Sequence, residues 1–251
     1  MYTQLQNRGA ERPPVTLSTF GKMRAKGEKI ASLTAYDASF AVLVDEAGVD
    51  LVLVGDSLGM VIQGHDTTVP VTMDQMVYHS AAVARGLHRA FLMTDLPFMS
   101  YASREQALTN ATRLMQEGGA RMVKLETGAS QLEIVEFLAN HDIAVCAHLG
   151  LKPQSVHKTG GFRVQGREHE AAERMVAEAR ALEQAGADML LLECIPSSLG
   201  KAITAAAHVP VIGIGAGPGV DGQILVLYDM LGISTGRLPR FVQNFMAGAD
   251  G

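Results

Sequence analysis

The sequence predicts an α/β protein, a (β/α)8 (TIM) barrel of parallel strands forming a single domain over residues 1–251. Three observations carry this expectation. Short runs rich in Val, Ile and Leu alternate with longer stretches of helical period. The runs are continuously apolar, the mark of parallel strands covered on both faces. The length of 251 residues matches the about 250 typical of such barrels. A doubly wound open sheet is the alternative topology for the same alternation.

Taken in order, strands are expected at 29–36, 51–57, 90–97, 121–128, 143–150, 189–196 and 209–217. RFVQNF (240–245) is the candidate for a short eighth. Between them, 73–87 carries an apolar stripe of Met76, Val77, Ala81, Ala84 and Leu87. In 169–187 the stripe is Ala172, Met175, Val176, Ala179 and Leu182, the spacing of a helix packed by one face. A weak repeat runs through EAGVDLVLVGD, QEGGARMVKLE and EQAGADMLLLE, with RGLHRAFLMTD as a looser copy. In the three closer copies a helix ends at glycine, the expected left-handed cap, and in every copy a strand then delivers an acid. The acids are Asp56, Glu126, Glu193 and Asp95. By contrast, 150–168 has no apolar period and is rich in Gly, Lys and Arg; a loop of this length is expected to be functional, as a lid.

Nearly half the residues are hydrophobic (47%) and 19% are charged, so a large core is expected and disorder is not. A net charge of −5 offers no basic footprint for nucleic acid. The polar N-terminus, broken by Pro13 and Pro14, has no apolar signal region, and no apolar run approaches the ~20 residues of a membrane span. Cys146 and Cys194 lie in apolar segments and read as two reduced thiols, which points to the cytoplasm.

In a parallel barrel all strand C-termini open on the face that holds the active site. Four strand-end acids should therefore converge there, with Lys124 two residues from Glu126, and His148 two from Cys146, on the same side of their strands. A single acid or serine at such a place can equally cap the next helix, and Ser57 and Thr94 are also candidates for that role. Convergent carboxylates repel, so they need protons, salt bridges or a cation, for which a hard ion such as Mg²⁺ is the simplest choice. No HExxH, CxxC or His triad points to zinc. Glu193, in the most apolar setting, is the candidate general base. Asp56, Asp95 and Glu126 remain as the metal group, and Lys124 is either a substrate anchor or a salt-bridge partner. His148 is either a hydrogen-bonded interior residue or part of the site. VIGIGAGPGV fails the dinucleotide fingerprint, because Pro218 replaces its last glycine; tight packing explains those glycines better than a nucleotide does.

Several stretches in order, LTAYDASFA, VGDSLGMVIQGHDTTVPVT, TDLPFMSY, VKLETG, HLGLKPQSV, GGFRVQGR, LLLECIP and VPVIGIGAGPGVDGQILVLYDMLG, together resemble the 3-methyl-2-oxobutanoate hydroxymethyltransferase (ketopantoate hydroxymethyltransferase) family. The resemblance runs from about residue 15 to the end of the chain. It implies a cytoplasmic (β/α)8 barrel assembled as a homo-oligomer, typically a decamer. The implied reaction moves a hydroxymethyl group from 5,10-methylenetetrahydrofolate to 3-methyl-2-oxobutanoate, giving 2-dehydropantoate and tetrahydrofolate in pantothenate biosynthesis. Motif by motif, it implies Asp56 and Asp95 as Mg²⁺ ligands that also meet the substrate, and Glu126 as a member of the metal site. It implies Ser57 and Lys124 as substrate-binding, His148 as near the substrate, and Glu193 as the proton acceptor. Lys152, Lys158, Arg163 and Arg167 are candidates for the folate's anionic tail, or else solvated surface charge. Against the family's pattern, NFMAGADG stops where a further C-terminal helix is expected. Barrels of the phosphoenolpyruvate mutase/isocitrate lyase type share the Mg²⁺–enolate chemistry, but their KKCGH-like motif is absent here.

Overall fold

A computed structural model describes residues 13–234 and 238–248. The elements run α1 (Leu17–Lys26), β1 (Ile30–Thr34), α2 (Ala38–Glu46), β2 (Leu51–Val54), α3 (Leu58–Val61), α4 (Met73–Gly86) and β3 (Phe91–Asp95). They continue with α5 (Arg104–Gln116), β4 (Met122–Glu126), α6 (Leu132–Ala139), β5 (Val145–Gly150), α7 (Val156–Thr159) and α8 (His169–Gln184). The last are β6 (Met189–Glu193), α9 (Ser197–Ala206), β7 (Val211–Ile214), β8 (Gly222–Leu225) and α10 (Leu227–Met230). The strands close a barrel in sequence order, every neighbour parallel, so the open sheet is ruled out.

Strand parity divides the core in two. Val52, Val54, Leu92, Val123, Leu125, Val145, Leu190 and Leu192 pack outward against helix residues such as Val44, Met76, Leu114, Leu138, Leu182 and Ile203. Their alternates, Leu51, Leu53, Phe91, Met93, Met122, Cys146, Met189, Leu191 and Ile212, fill the barrel interior. Val15 and Phe20 join that interior, with the Phe20 and Phe91 rings edge to face at 5.4 Å, so the N-terminal mouth is plugged. The same parity carried to the strand ends aims Asp95, Lys124, Glu126, His148 and Glu193 inward above the apolar plug.

Acids at the N-terminal mouth do a different job. Asp50 accepts from the Ala31 N–H (3.1 Å), Asp188 from Val145 (3.0 Å) and Asp221 from Val211 (2.9 Å). Each lies just before a strand and satisfies an otherwise unpaired N–H of the preceding one. The repeat's glycines Gly48, Gly119 and Gly186 all take the left-handed conformation expected of them.

Two expectations are corrected. The eighth strand is Gly222–Leu225, not RFVQNF; residues 240–245 follow turns and irregular backbone, and Phe241 lies against Gly215. Gly222 sits where a Cβ would come within 2.6 Å of both the Ile30 carbonyl and Ile212, so the strand that closes the barrel needs a residue invisible to an apolar search. On α4 the buried line is Met76, Ser80 and Val83, with Val77, Ala84 and Leu87 only partly covered. Ser80 tolerates burial because its hydroxyl pairs with that of Thr94 at 2.8 Å. The α8 stripe is as expected, with Met175, Ala179 and Leu182 buried.

Candidate active site

The C-terminal mouth gathers the inward-facing polar residues into one network. Asp95 lies in register with Lys124, and Glu126 with His148. Lys124 Nζ stands 2.7 Å from Asp95 Oδ1 as a buried ion pair, though off the angle of a hydrogen bond. Asp95 Oδ2 accepts the Asp56 backbone N–H at 3.1 Å, fixing the turn after β2. Asp56 and Ser57 make no side-chain cap on α3, so the capping reading of these residues falls. The Ser57 hydroxyl instead meets the Tyr36 hydroxyl at 2.8 Å.

Sequence reasoning missed Gln154. Its backbone N–H donates to Glu126 Oε1 (2.9 Å), and its side-chain amide donates to Asp56 Oδ2 (2.8 Å) and the Leu96 carbonyl (3.0 Å). Tyr101, also missed, donates its hydroxyl to Gln154 Oε1 at 2.6 Å. A neutral amide carries no charge pattern, and the one local signal is Pro153, which starts the turn that holds Gln154 beside the β5 end. The expected lid is therefore only partly a free loop: Leu151, Gln154 and Val156 are buried, and the exposed part begins at His157. Lys152 donates to the Thr127 carbonyl (3.2 Å), whereas Lys158, Arg163 and Arg167 form no ion pair among the described residues.

Across the mouth, Glu193 Oε2 lies 3.4 Å from His148 Nε2. Neither ring nitrogen of this buried histidine makes a hydrogen bond among the described residues. Burial, then the Lys124 charge, holds the His148 pKa well below its ordinary value, so the ring is neutral. Glu193 is followed by Cys194 with φ 49°, a conformation a non-glycine residue rarely adopts and one that turns the chain sharply away from the strand. The Glu193 carbonyl accepts from the Leu151 N–H (2.8 Å), and a Cβ on Gly150 would sit 2.2 Å from it.

Burial dominates the acid–base properties. It pushes Asp56 up to about 7, aided by the neighbouring Asp95 charge. It pushes Glu126 up to about 8 against the Gln154 N–H, and Glu193 up to about 7 against Lys124. For Lys124 burial works the other way, yet Asp95 and Asp56 overcome it and hold the ammonium above the ordinary lysine value. One ammonium among these acids leaves negative charge in surplus.

That surplus, and the oxygen-only donor set, suit a hard divalent cation. Among the described residues, Asp56 Oδ1 and Glu126 Oε2 carry no hydrogen bond, and Asp95 Oδ1 is buried without one. No three His, Cys, Asp or Glu of the described residues close around one point. An ion held by one or two carboxylates and completed by water and substrate is the arrangement Mg²⁺ favours.

Fold and site define the class: a (β/α)8 barrel with an acid-and-lysine cluster at its C-terminal face, the face on which such barrels do chemistry. The ketopantoate hydroxymethyltransferase family model matches residues 14–251, and the chain belongs to that family. It is 61% identical to the 3-methyl-2-oxobutanoate hydroxymethyltransferase of Alkalilimnicola ehrlichii, over 95% of this chain and 86% of that protein. With the enzyme of the same name from Nitrosococcus oceani the identity is 60%, over 94% and 89%. Among solved structures, 2,3-dimethylmalate lyase, of the PEP mutase/isocitrate lyase superfamily, superposes with a TM-score of 0.64 at 18% identity, covering 88% of this chain and 84% of that one. Phosphonopyruvate hydrolase in complex with oxalate and Mg²⁺ gives 0.63 at 14%, covering 84% and 80%. At such identities these two share the fold.

Proposed function

We propose that this chain transfers a hydroxymethyl group from 5,10-methylenetetrahydrofolate to 3-methyl-2-oxobutanoate, yielding 2-dehydropantoate and tetrahydrofolate with uptake of one water. Family membership supports the reaction. The observation that carries the mechanism is the placement of Glu193 and Lys124 on the inner wall of one barrel mouth, one partly covered carboxyl poised near neutrality and one buried, fixed ammonium.

Asp56 and Asp95 would hold a divalent cation, Mg²⁺ by the chemistry of the donors, with Glu126 in the same group. Such an ion would supply Lewis-acid polarisation of the 2-oxo group. The chain's own residues do the rest. Lys124, pinned by Asp95, offers a cation to the substrate's carboxylate or to the oxygen on which charge develops. Ser57, held by Tyr36, presents a hydroxyl to the substrate. Glu193 removes the proton from C3, and its pKa of about 7 matches the task of a base working near neutral pH. His148 stands beside Glu193 as a neutral ring that faces the substrate without adding charge. The carbanion then attacks the one-carbon unit of the folate.

The test is direct. The purified chain is incubated with Mg²⁺, methylenetetrahydrofolate and 3-methyl-2-oxobutanoate, and the keto acid is followed by mass spectrometry. Formation of 2-dehydropantoate supports the reading, and an unchanged keto acid sinks it.

A further inference from the structure

Gln154 uses its side-chain amide nitrogen and oxygen and its backbone N–H, all three, to bind the site. The Leu96 carbonyl can only accept, so the amide nitrogen must face it and the Asp56 carboxyl beside it, and the amide oxygen faces Tyr101. Its backbone N–H is spent on Glu126. One residue thereby ties the carboxylate after β2, the carboxylate ending β4, the backbone after β3 and the tyrosine beyond it. It lies in the first turn of the β5–α8 connection, the segment that runs on into the exposed stretch from His157.

We infer that Gln154 is a positioning residue that couples the β5–α8 connection to cation binding at Asp56 and Glu126. This rests on the reading of those carboxylates as the cation's holders. The amide occupies Asp56 Oδ2 and the N–H occupies Glu126 Oε1, so each acid is left one free oxygen at a fixed orientation. Partners that orient metal-binding carboxylates govern affinity, and their loss costs roughly 10–100-fold. Because coupling is reciprocal, a cation that draws on oriented Asp56 and Glu126 also tightens the turn that orients them.

The test uses the full chain without keto acid or folate. Free Mn²⁺ is titrated by electron paramagnetic resonance, and amide exchange over 153–161 is followed with and without Mg²⁺. Gln154→Met, which keeps the length and loses the amide, is expected to weaken Mn²⁺ roughly 10–100-fold. The unaltered chain should show Mg²⁺-induced slowing of exchange over 153–161, and Gln154→Met should abolish it. Tyr101→Phe leaves the amide in place without its orienting donor. It is expected to weaken Mn²⁺ by roughly 2- to 10-fold, the size of one hydrogen bond, and it decides the matter if Gln154→Met does not fold. A merely structural role would lower thermal stability and leave both readouts unchanged, and that result overturns the inference alone. No Mn²⁺ binding by the unaltered chain overturns the inference together with the carboxylate site itself.

Discussion

In the proposed mechanism Glu193 and Lys124 divide the chemistry between them, and each can be tested singly. Burial pushes Glu193 up to about 7, and its carboxyl lies 3.4 Å from the neutral His148 ring. Glu193→Gln is expected to keep substrate and cation binding while kcat falls by about 10²–10⁴-fold, the usual contribution of a general base. A barrel that only binds keto acids would lose nothing in that variant. Lys124 is the one ammonium against Asp95 and its neighbouring acids. Lys124→Met leaves Asp95 buried and unpaired, which costs about 3–5 kcal/mol in unfolding experiments. Added Mg²⁺ should restore more stability to this variant than to the unaltered chain, because the ion would neutralise the same carboxylates. Both residues were legible in the sequence, since strand parity alone aims Lys124 and Glu126 to one side and the apolar run before Glu193 announces its burial. Gln154, Tyr101 and Tyr36 were not, because their roles lie in partners distant along the chain.

At the scale of elements, the strand ends are the reliable feature. Seven strands stand where their apolar runs place them, and in three of them the repeat's glycine caps the preceding helix in left-handed conformation. The eighth escaped because β8 is four residues long and begins at a glycine, with Gln223 exposed. Apolar character pointed instead to 240–245, whose Phe241 lies against Gly215 just past the C-terminal end of β7. The closing strand can be tested by Gly222→Val. Its added atoms meet the Ile30 carbonyl and Ile212, and the overpacking should cost about 1–3 kcal/mol, read as a lower denaturation midpoint. The segment 150–168 was expected as a lid, and its first half is a fixed part of the site. Its lack of apolar period reflects anchoring by polar groups, Gln154 above all, rather than freedom.

For the molecule as a whole, the site is a charge problem solved at the expense of stability. Asp56, Glu126 and Glu193 titrate near 7, 8 and 7 in the folded chain, whereas unfolded carboxyls titrate at about 4. Between those limits the folded state holds more protons than the unfolded state, so stability from these groups falls as pH rises from about 4 to 8. Thermal unfolding of the ion-free chain should follow that slope, and saturating Mg²⁺ should raise Tm more at pH 8 than at pH 5. A Tm independent of the ion at both pH values would deny the site a cation. No described helix is long and apolar enough to cross a membrane. Val15 and Phe20 plug the N-terminal mouth, and the barrel's inward polar groups gather at the C-terminal face.

The central claim is that this mouth makes a carbanion at C3 of a 2-oxo acid by using Glu193. The most direct measurement is exchange of the C3 proton of 3-methyl-2-oxobutanoate in D₂O, followed by NMR with Mg²⁺ and methylenetetrahydrofolate's non-reactive product, tetrahydrofolate, present. The account predicts exchange that requires the ion and disappears in Glu193→Gln. Exchange at an undiminished rate in Glu193→Gln, or none in the unaltered chain, would contradict it.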